Sequence, residues 1–181
     1  MKQDIEHKIS CPEGVTASLE GGNLTVKGKE GESVRSFNHS LISIGVDGAD
    51  IILSCKDSTK REKCQMGTFQ AHIKNMVNGV QNKFKYSLKI CSSHFPMNVS
   101  VSGQSLTVKN FLGEKNARTA EIPVGVSVKV QDKDIIVESI ERELAGITAS
   151  RIEQLTRVTN KDRRIFQDGI YITGKDDRRL Q

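Results

Sequence analysis

Tryptophan is absent from this chain of 181 residues, and Phe and Tyr bring the aromatic share to only 4%. The core must therefore be built mostly from Ile, Val and Leu. No apolar stretch approaches the roughly 20 residues that a helix needs to cross a bilayer. The first eight residues, Met1-Lys2-Gln3-Asp4-Ile5-Glu6-His7-Lys8, hold no apolar run of the secretory kind. These absences read as a cytosolic protein with no membrane partner. Catalytic constellations are missing too. His7, His39, His72 and His94 lie in separate elements, and none neighbours a nucleophile motif such as G-x-S-x-G. The glycines of residues 22–30 fail the spacing of a phosphate loop, and Glu30 stands where a magnesium-binding hydroxyl would be needed. The paired acids Asp132/Asp134 and Asp176/Asp177 fall in turn-like or terminal positions that face water. Nothing supplies nucleophile, base and orienting group together, so no enzyme, small-molecule substrate or cofactor is expected.

The four cysteines, Cys11, Cys55, Cys64 and Cys91, form no C-x-x-C pair, and a cytosolic setting disfavours disulfides. Cys91-Ser92-Ser93-His94 has a metal-like spacing but lacks a second ligand pair, so these thiols read as strand residues and no metal is expected. The sequons at Asn23, Asn38 and Asn98 carry no meaning without a secretory route.

What is present begins with charge. The net charge is +5, unevenly placed: residues 1–82 carry ten Lys/Arg and ten Asp/Glu, residues 83–181 seventeen and twelve. A neutral half joined to a basic half suggests one surface for an anionic partner and another with a different task. The most concentrated part is Arg157-Val158-Thr159-Asn160-Lys161-Asp162-Arg163-Arg164, which runs through Phe166 and an Asp168-Gly169 turn into the strand-like Ile170-Tyr171-Ile172. Arg offers a planar fork of donors that fits phosphate oxygens and keeps its proton. A basic run pinned between helix and strand presents a fixed surface, and RNA is the natural anionic partner. A solvated loop without a partner is the plainer alternative. Phe166 and Tyr171 are candidates either for stacking on a base or for core packing.

The pattern of elements repeats. Val15–Leu19 and Leu24–Lys27 alternate around Glu20-Gly21-Gly22-Asn23, a hairpin signal. The apolar strand Ile51-Ile52-Leu53 follows the turn of Gly45, Asp47 and Gly48. Met66, Phe69, Ile73, Met76, Val77 and Val80 then share one helical face, with Ser58 or Thr59 as cap and Gly79 near the end. After Lys83 the order restarts with the alternating Phe84–Ile90. Val99–Ser102 echoes Val15–Ser18, Leu106-Thr107-Val108-Lys109 repeats Leu24-Thr25-Val26-Lys27, Gly113-Glu114 repeats Gly31-Glu32, and Ile135-Ile136-Val137 echoes Ile51-Ile52-Leu53. A second amphipathic helix carries Leu144, Ile147, Thr148, Ile152 and Leu155 on one face, with Ser139 as its N-cap. The fold class is therefore α+β: two duplicated small domains, each a mostly antiparallel sheet packed with one main helix, at 1–83 (neutral) and 84–181 (basic).

His72-Ile73-Lys74-Asn75-Met76-Val77-Asn78-Gly79-Val80, Phe84-Lys85-Tyr86, His94-Phe95-Pro96-Met97-Asn98-Val99 and Asn110-Phe111-Leu112-Gly113-Glu114-Lys115 with Arg118 form a further pattern. It closes on Thr159–Arg164 and Phe166–Tyr171. Together these segments resemble the universal large-subunit ribosomal protein six family, the ninth in older eukaryotic naming. The resemblance spans essentially the whole chain and is most specific over 72–171, and the N-K-D…F-x-D-G-I-Y ending is nearer the eukaryotic branch than the bacterial one. Lys83 departs from the family, which usually has Gly there. The resemblance implies a duplicated α+β fold and a structural constituent of the large ribosomal subunit that supports cytoplasmic translation. It implies rRNA contacts mainly through the C-terminal domain, near the base of the factor-binding stalk, with neighbouring large-subunit proteins beside it and nucleolar assembly in a eukaryote. Carried onto this chain, the rRNA-binding set is Arg157, Asn160, Lys161, Arg163 and Arg164, Lys115 and Arg118 after the second hairpin, and Lys109 and Tyr171. The neutral first domain would face protein neighbours or mobile stalk RNA. The competing reading is a two-domain protein-interaction adaptor with no RNA role.

Overall fold

The computed structural model describes residues 3–48, 50–176 and 178–179. It divides into two units, Met1–Lys83 and Phe84–Gln181. Both are α+β with antiparallel sheets, as the duplicated pattern predicts.

The first unit runs β1 (Gln3–Ser10), β2 (Thr16–Glu20), β3 (Asn23–Gly28), β4 (Gly31–Ser36), β5 (Ile42–Asp47), β6 (Asp50–Ser58) and α1 (Lys60–Gln81). Its two sheets have the orders β2-β3-β4 and β1-β6-β5. Gly21 and Gly22, at φ 56° and 83°, form a two-residue turn that closes β2 on β3 with Glu20 opposite Asn23. That backbone matches the twist of the flanking strands and needs left-handed residues. Leu24 and Val26 on β3, with Ile51 and Leu53 on β6, are fully buried. All six residues predicted for the inner face of α1, from Met66 to Val80, are buried as well. Thr59 caps the helix: its hydroxyl accepts from the Arg61 amide, and the Glu62 carboxylate accepts from the Thr59 amide at 2.8 Å and from its hydroxyl. Gly28 is fixed by proximity, since a Cβ there would lie 2.8 Å from the Val80 carbonyl oxygen and 2.9 Å from its Cγ2. Backbone cannot yield as a side-chain tip can, so Gly28→Ala is expected to cost about 1–3 kcal/mol, read as a lowered urea midpoint.

The second unit runs β7 (Phe84–Cys91), β8 (Asn98–Ser102), β9 (Ser105–Lys109), a short 3-10 turn (Phe111–Gly113), β10 (Arg118–Glu121), β11 (Val126–Gln131), β12 (Asp134–Ser139), α2 (Arg142–Leu155), β13 (Gly169–Lys175) and β14 (Arg178–Arg179). One sheet is β10-β9-β8; the other, β11-β12-β7-β13-β14, gains two strands after the helix. Strict alternation on β7 sends Phe84, Tyr86, Leu88 and Ile90 inward and Lys85, Ser87 and Lys89 to the opposite face. The core collects Leu88, Leu106, Val108, Phe111, Ile135, Val137, Ile152 and Ile170, each at most 1% exposed. Burial of each such side chain contributes about 1.5–3 kcal/mol before chain entropy is counted.

Three sequence expectations change here. The inner face of α2 is Ala145, Thr148, Ala149 and Ile152, while Ile147 is 47% exposed. The helix lies so close to β7 that a Cβ on Gly146 would be 3.2 Å from the Tyr86 hydroxyl, and this spacing admits small residues where periodicity favoured large ones. Ser139 does not cap α2. It is the buried last residue of β12, donating to the Gly125 carbonyl at 3.0 Å and accepting from the Glu141 amide at 3.2 Å, and Glu141 takes the cap position without a side-chain bond. Gly113-Glu114 is not the structural counterpart of Gly31-Glu32. Leu24 pairs with Arg35 but its counterpart Leu106 pairs with Ala120, so the 3-10 turn lengthens the second hairpin. Asp132, Asp134 and Asp176 are exposed, as expected, and Asp177 lies outside the described residues. Among the described residues no helix is long and apolar enough to cross a membrane.

Candidate nucleic-acid interface

The basic stretch leaves the end of α2 at Thr156 and rejoins the sheet at Gly169. The last turn of the helix ties down the strand that follows. The buried Thr156 hydroxyl accepts from the Ile170 amide at 2.8 Å, and the Glu153 carboxylate accepts from the Ile172 amide at 3.1 Å. These side chains take the place of a neighbouring strand for the first half of β13, and the loop between is held at both ends.

Arg118 secures its start. The guanidinium forks onto Glu114 at 2.6 and 2.8 Å, donates to the Leu155 carbonyl at 2.7 Å and lies 4.4 Å above the centroid of Phe111. Its hydrogen bond, with its charge, holds the Glu114 carboxyl below the usual carboxylate range despite some opposing burial. The donors of Arg118 thus serve the protein, capping an orphan carbonyl at the helix end. Arg118→Lys keeps the charge but not the fork. It is expected to cost about 1–2 kcal/mol and to speed amide exchange across residues 157–164, with little change in the salt dependence of RNA binding.

The middle of the loop is a turn on Asp162. Its main-chain carbonyl accepts from the Ile165 and Phe166 amides at 3.1 and 2.9 Å, and its carboxylate accepts from the Arg164 amide at 2.9 Å and from the Arg164 guanidinium at 3.1 and 3.2 Å. Those Arg164 bonds lower the Asp162 carboxyl. Asn160 takes the left-handed conformation, φ 58°, that starts this turn. Lys161 lies 4.6 Å above the Phe166 ring, which itself stacks on His94 at 4.9 Å. The Arg164 side chain is 91% exposed. An exposed pair of this kind contributes at most about 1 kcal/mol, so a phosphate can displace Asp162 from it.

Asp168 secures the end, and here the sequence reading of an Asp-Gly turn is corrected. Asp168 is 1% exposed, and Gly169 opens β13 opposite Cys91. The carboxylate accepts from the Ser93 amide at 2.6 Å, the Ser93 hydroxyl at 2.5 Å, the His94 amide at 3.2 Å and His94 Nδ1 at 3.2 Å. Burial alone would raise this carboxyl, but the Ser93 and His94 donors outweigh it and bring it down to about 2. Cys91 and His94 therefore go to strand pairing and to Asp168. Among the described residues no group of three or more His, Cys, Asp or Glu is placed to hold a metal ion.

The expected binding residues gather unevenly. Arg157, Arg163, Arg164 and Tyr171 line one groove of about 580 Å³, together with Glu153 and Phe166. Arg118 and Lys161 line a smaller pocket of about 110 Å³ over Phe111. Lys109, Lys115 and Asn160 are exposed but line neither. Lys89 and Lys133, outside the expected set, line a groove of about 540 Å³ on the other side of Tyr171, with Gln167 and Asp168. The alternation of Phe84–Ile90 already sends Lys89 to the open face. No local pattern joins it to Lys133, which depends on the β12–β7 register. Among the described residues Lys89, Lys133, Arg157 and Arg163 make no ion pair.

Comparison with known proteins adds an independent finding. The model of the family described as Ribosomal protein L6 matches residues 11–83 and 95–169, one segment in each unit. A "Large ribosomal subunit protein uL6" of the archaeon Methanocella arvoryzae is 43% identical over 176 residues, covering 97% of this chain and 99% of its own. The protein of that name from Nanoarchaeum equitans is 48% identical, covering 93% and 92%. That from Aeropyrum pernix is 42% identical, covering 95% and 96%.

Proposed function

We propose, from the premise that the chain belongs to the ribosomal protein L6 family, that it is a structural constituent of the large ribosomal subunit whose second unit binds rRNA through the pinned loop 157–164. The observation that carries this reading is the placement of Arg157, Arg163 and Arg164 along one groove, on a short loop fastened at both ends by Arg118 and Asp168. Fastening matters because the ordering entropy of the loop is met on folding and does not recur on binding. The cations neutralise phosphates and release counterions, giving affinity without reading base sequence. Recognition then rests on the shape of folded RNA and on its 2′-hydroxyls.

Lys161 and Lys115 extend the basic surface, and Arg118 acts through the loop that it anchors. The first unit, with ten charges of each sign in residues 1–82, suits protein neighbours. The stalk base is the proposed site within the subunit, and the work performed is scaffolding, with no reaction catalysed.

Salt dependence tests this reading. With at least four cations engaged (Arg157, Lys161, Arg163 and Arg164), the logarithm of the affinity for protein-free large-subunit rRNA should fall against log salt with a slope of about −3 or steeper. A protein-interaction adaptor would show no saturable RNA binding and would keep its partners after nuclease treatment.

A further inference from the structure

Tyr171 stands between the two larger grooves and lines both. Its ring is held flat. A Cβ built on Gly169 would lie 3.2 Å from both Cζ and the hydroxyl oxygen of Tyr171 and 3.3 Å from Cε2. Two adjacent ring carbons and the hydroxyl oxygen can be nearly equidistant at that range only from a point out of the ring plane, so Gly169 lies beneath the hydroxyl end of the ring and not in line with its edge. The hydroxyl donates to the Gln167 carbonyl at 3.0 Å, which fixes the far end. One face of the ring rests on a residue that has no side chain, and the residue remains 39% exposed.

The setting is cationic on both sides. Lys89 is the cross-strand partner of Tyr171 on β7, and Lys133 lines the same groove, with its carbonyl accepting from the Ile90 amide at 2.8 Å. Arg157, Arg163 and Arg164 rim the opposite groove. An aromatic ring buried for packing would be enclosed by apolar side chains. This one is braced from beneath, partly exposed and flanked by Lys89, Lys133, Arg157 and Arg163, which make no ion pair among the described residues. Such a combination suits a nucleobase with a phosphate on either side, because every base has a π-face and stacking needs a rigid ring.

We propose that Tyr171 is a stacking platform for one unpaired base of the rRNA, with the flanking backbone held by Lys89 and Lys133 on one side and by Arg157 and Arg163 on the other. The proposal rests on the rRNA-binding reading and sharpens it: the RNA reaching this surface carries a bulged or single-stranded nucleotide, and Lys89 and Lys133 join the interface.

The test uses the full chain and protein-free large-subunit rRNA at fixed salt, with Tyr171→Trp and Tyr171→Leu compared after thermal melts establish that both fold. Stacking predicts that Trp binds within about twofold of the parent and Leu about tenfold more weakly, with the salt slope of both unchanged. Lys89→Gln with Lys133→Gln should instead make the slope shallower by about one to two. A measurement without variants accompanies these: nitration of Tyr171 should be blocked in the complex, while Tyr86, at 8% exposure, stays unreactive in both states. Leu binding as tightly as Trp, or Tyr171 nitrated equally fast with and without rRNA, overturns the platform. If that occurs while Arg163→Glu/Arg164→Glu still abolishes binding, the platform alone is wrong. If the parent chain does not bind rRNA at all, the underlying reading falls with it. A Tyr171→Leu chain that keeps its rRNA affinity but loses a ribosomal-protein neighbour would place a protein contact there and overturn the platform as well.

Discussion

Charge reversal at Arg163 and Arg164 together is expected to weaken binding to protein-free large-subunit rRNA by about 100-fold at roughly 0.1 M salt. The size follows from counterion release. Each neutralised phosphate contributes close to one unit of salt slope, so at about 0.1 M each contact is worth nearly a factor of ten. Two lost contacts multiply, and the new carboxylates add repulsion. Both side chains are exposed and neither belongs to the core, so the melting temperature should move by no more than a few degrees. Arg164 gives up its bonds to Asp162, but a surface pair of that kind contributes at most about 1 kcal/mol. The slope of log affinity against log salt should become shallower by about two. Filter binding across a salt series reads both quantities. An unchanged slope would mean that these arginines face solvent in the complex.

Asp168→Asn is expected to lower stability by about 2–4 kcal/mol, which for a domain near 100 residues shifts the melting temperature down by roughly 10–20 °C. An amide keeps the shape but puts its NH₂ in place of one carboxylate oxygen, against either the Ser93 or the His94 amide, which can only donate. A buried donor then loses its acceptor and a second donor is pressed against it. The pH dependence has a defined sign. The Asp168 carboxyl is held down to about 2 in the folded chain, against about 3.9 when unfolded. Its contribution is therefore fully present above about pH 4 and is lost as pH falls through the folded value. By linkage the contribution is on the order of 2 kcal/mol. The parent should lose stability between about pH 4 and pH 2 more steeply than Asp168→Asn, so the two stability curves converge in acid. Parallel curves across that window would remove Asp168 from the account. Loss of this anchor should also raise amide exchange in the basic loop and weaken RNA binding indirectly.

How much of this was legible beforehand differs by element. Alternation along Phe84–Ile90 and the apolar spacing from Met66 to Val80 reported burial correctly, because a strand and a packed helix each impose one period on every residue. The LTVK repeat identified β3 and β9 as counterparts, since both need Leu and Val facing inward at the centre of a three-stranded sheet. Gly113-Glu114 misled because a dipeptide carries no register. The inserted 3-10 turn moved it off its apparent partner and gave Glu114 a new task, clamping Arg118. The face of α2 was misread at Ile147 because the buried positions Ala145, Thr148, Ala149 and Ile152 keep the helical period but are mostly small, so the large apolar residues do not mark them.

The candidate interface shows the same division. Arg157, Lys161, Arg163 and Arg164 were visible as a run of charge, which is a local signal. The groups that make the run into a surface were not. Arg118 reads as one more cation until its donors are seen on Glu114 and Leu155. Asp168 reads as a turn residue until its carboxylate is found against Ser93, 75 positions away. Lys89 and Lys133 flank Tyr171 only through strand register. Contacts between distant segments leave no periodic trace, and they are what distinguishes a fastened cationic loop from a solvated one.

The most direct measurement is sedimentation of a lysate on a sucrose gradient, with this chain followed before and after ribonuclease treatment. The account predicts that it travels with the large subunit in stoichiometric amount, leaves those fractions when the RNA is digested, and does so at lower salt in an Arg163→Glu/Arg164→Glu chain. A chain that stays at the top of the gradient as a free protein, or that keeps fast-sedimenting partners after nuclease, would contradict it.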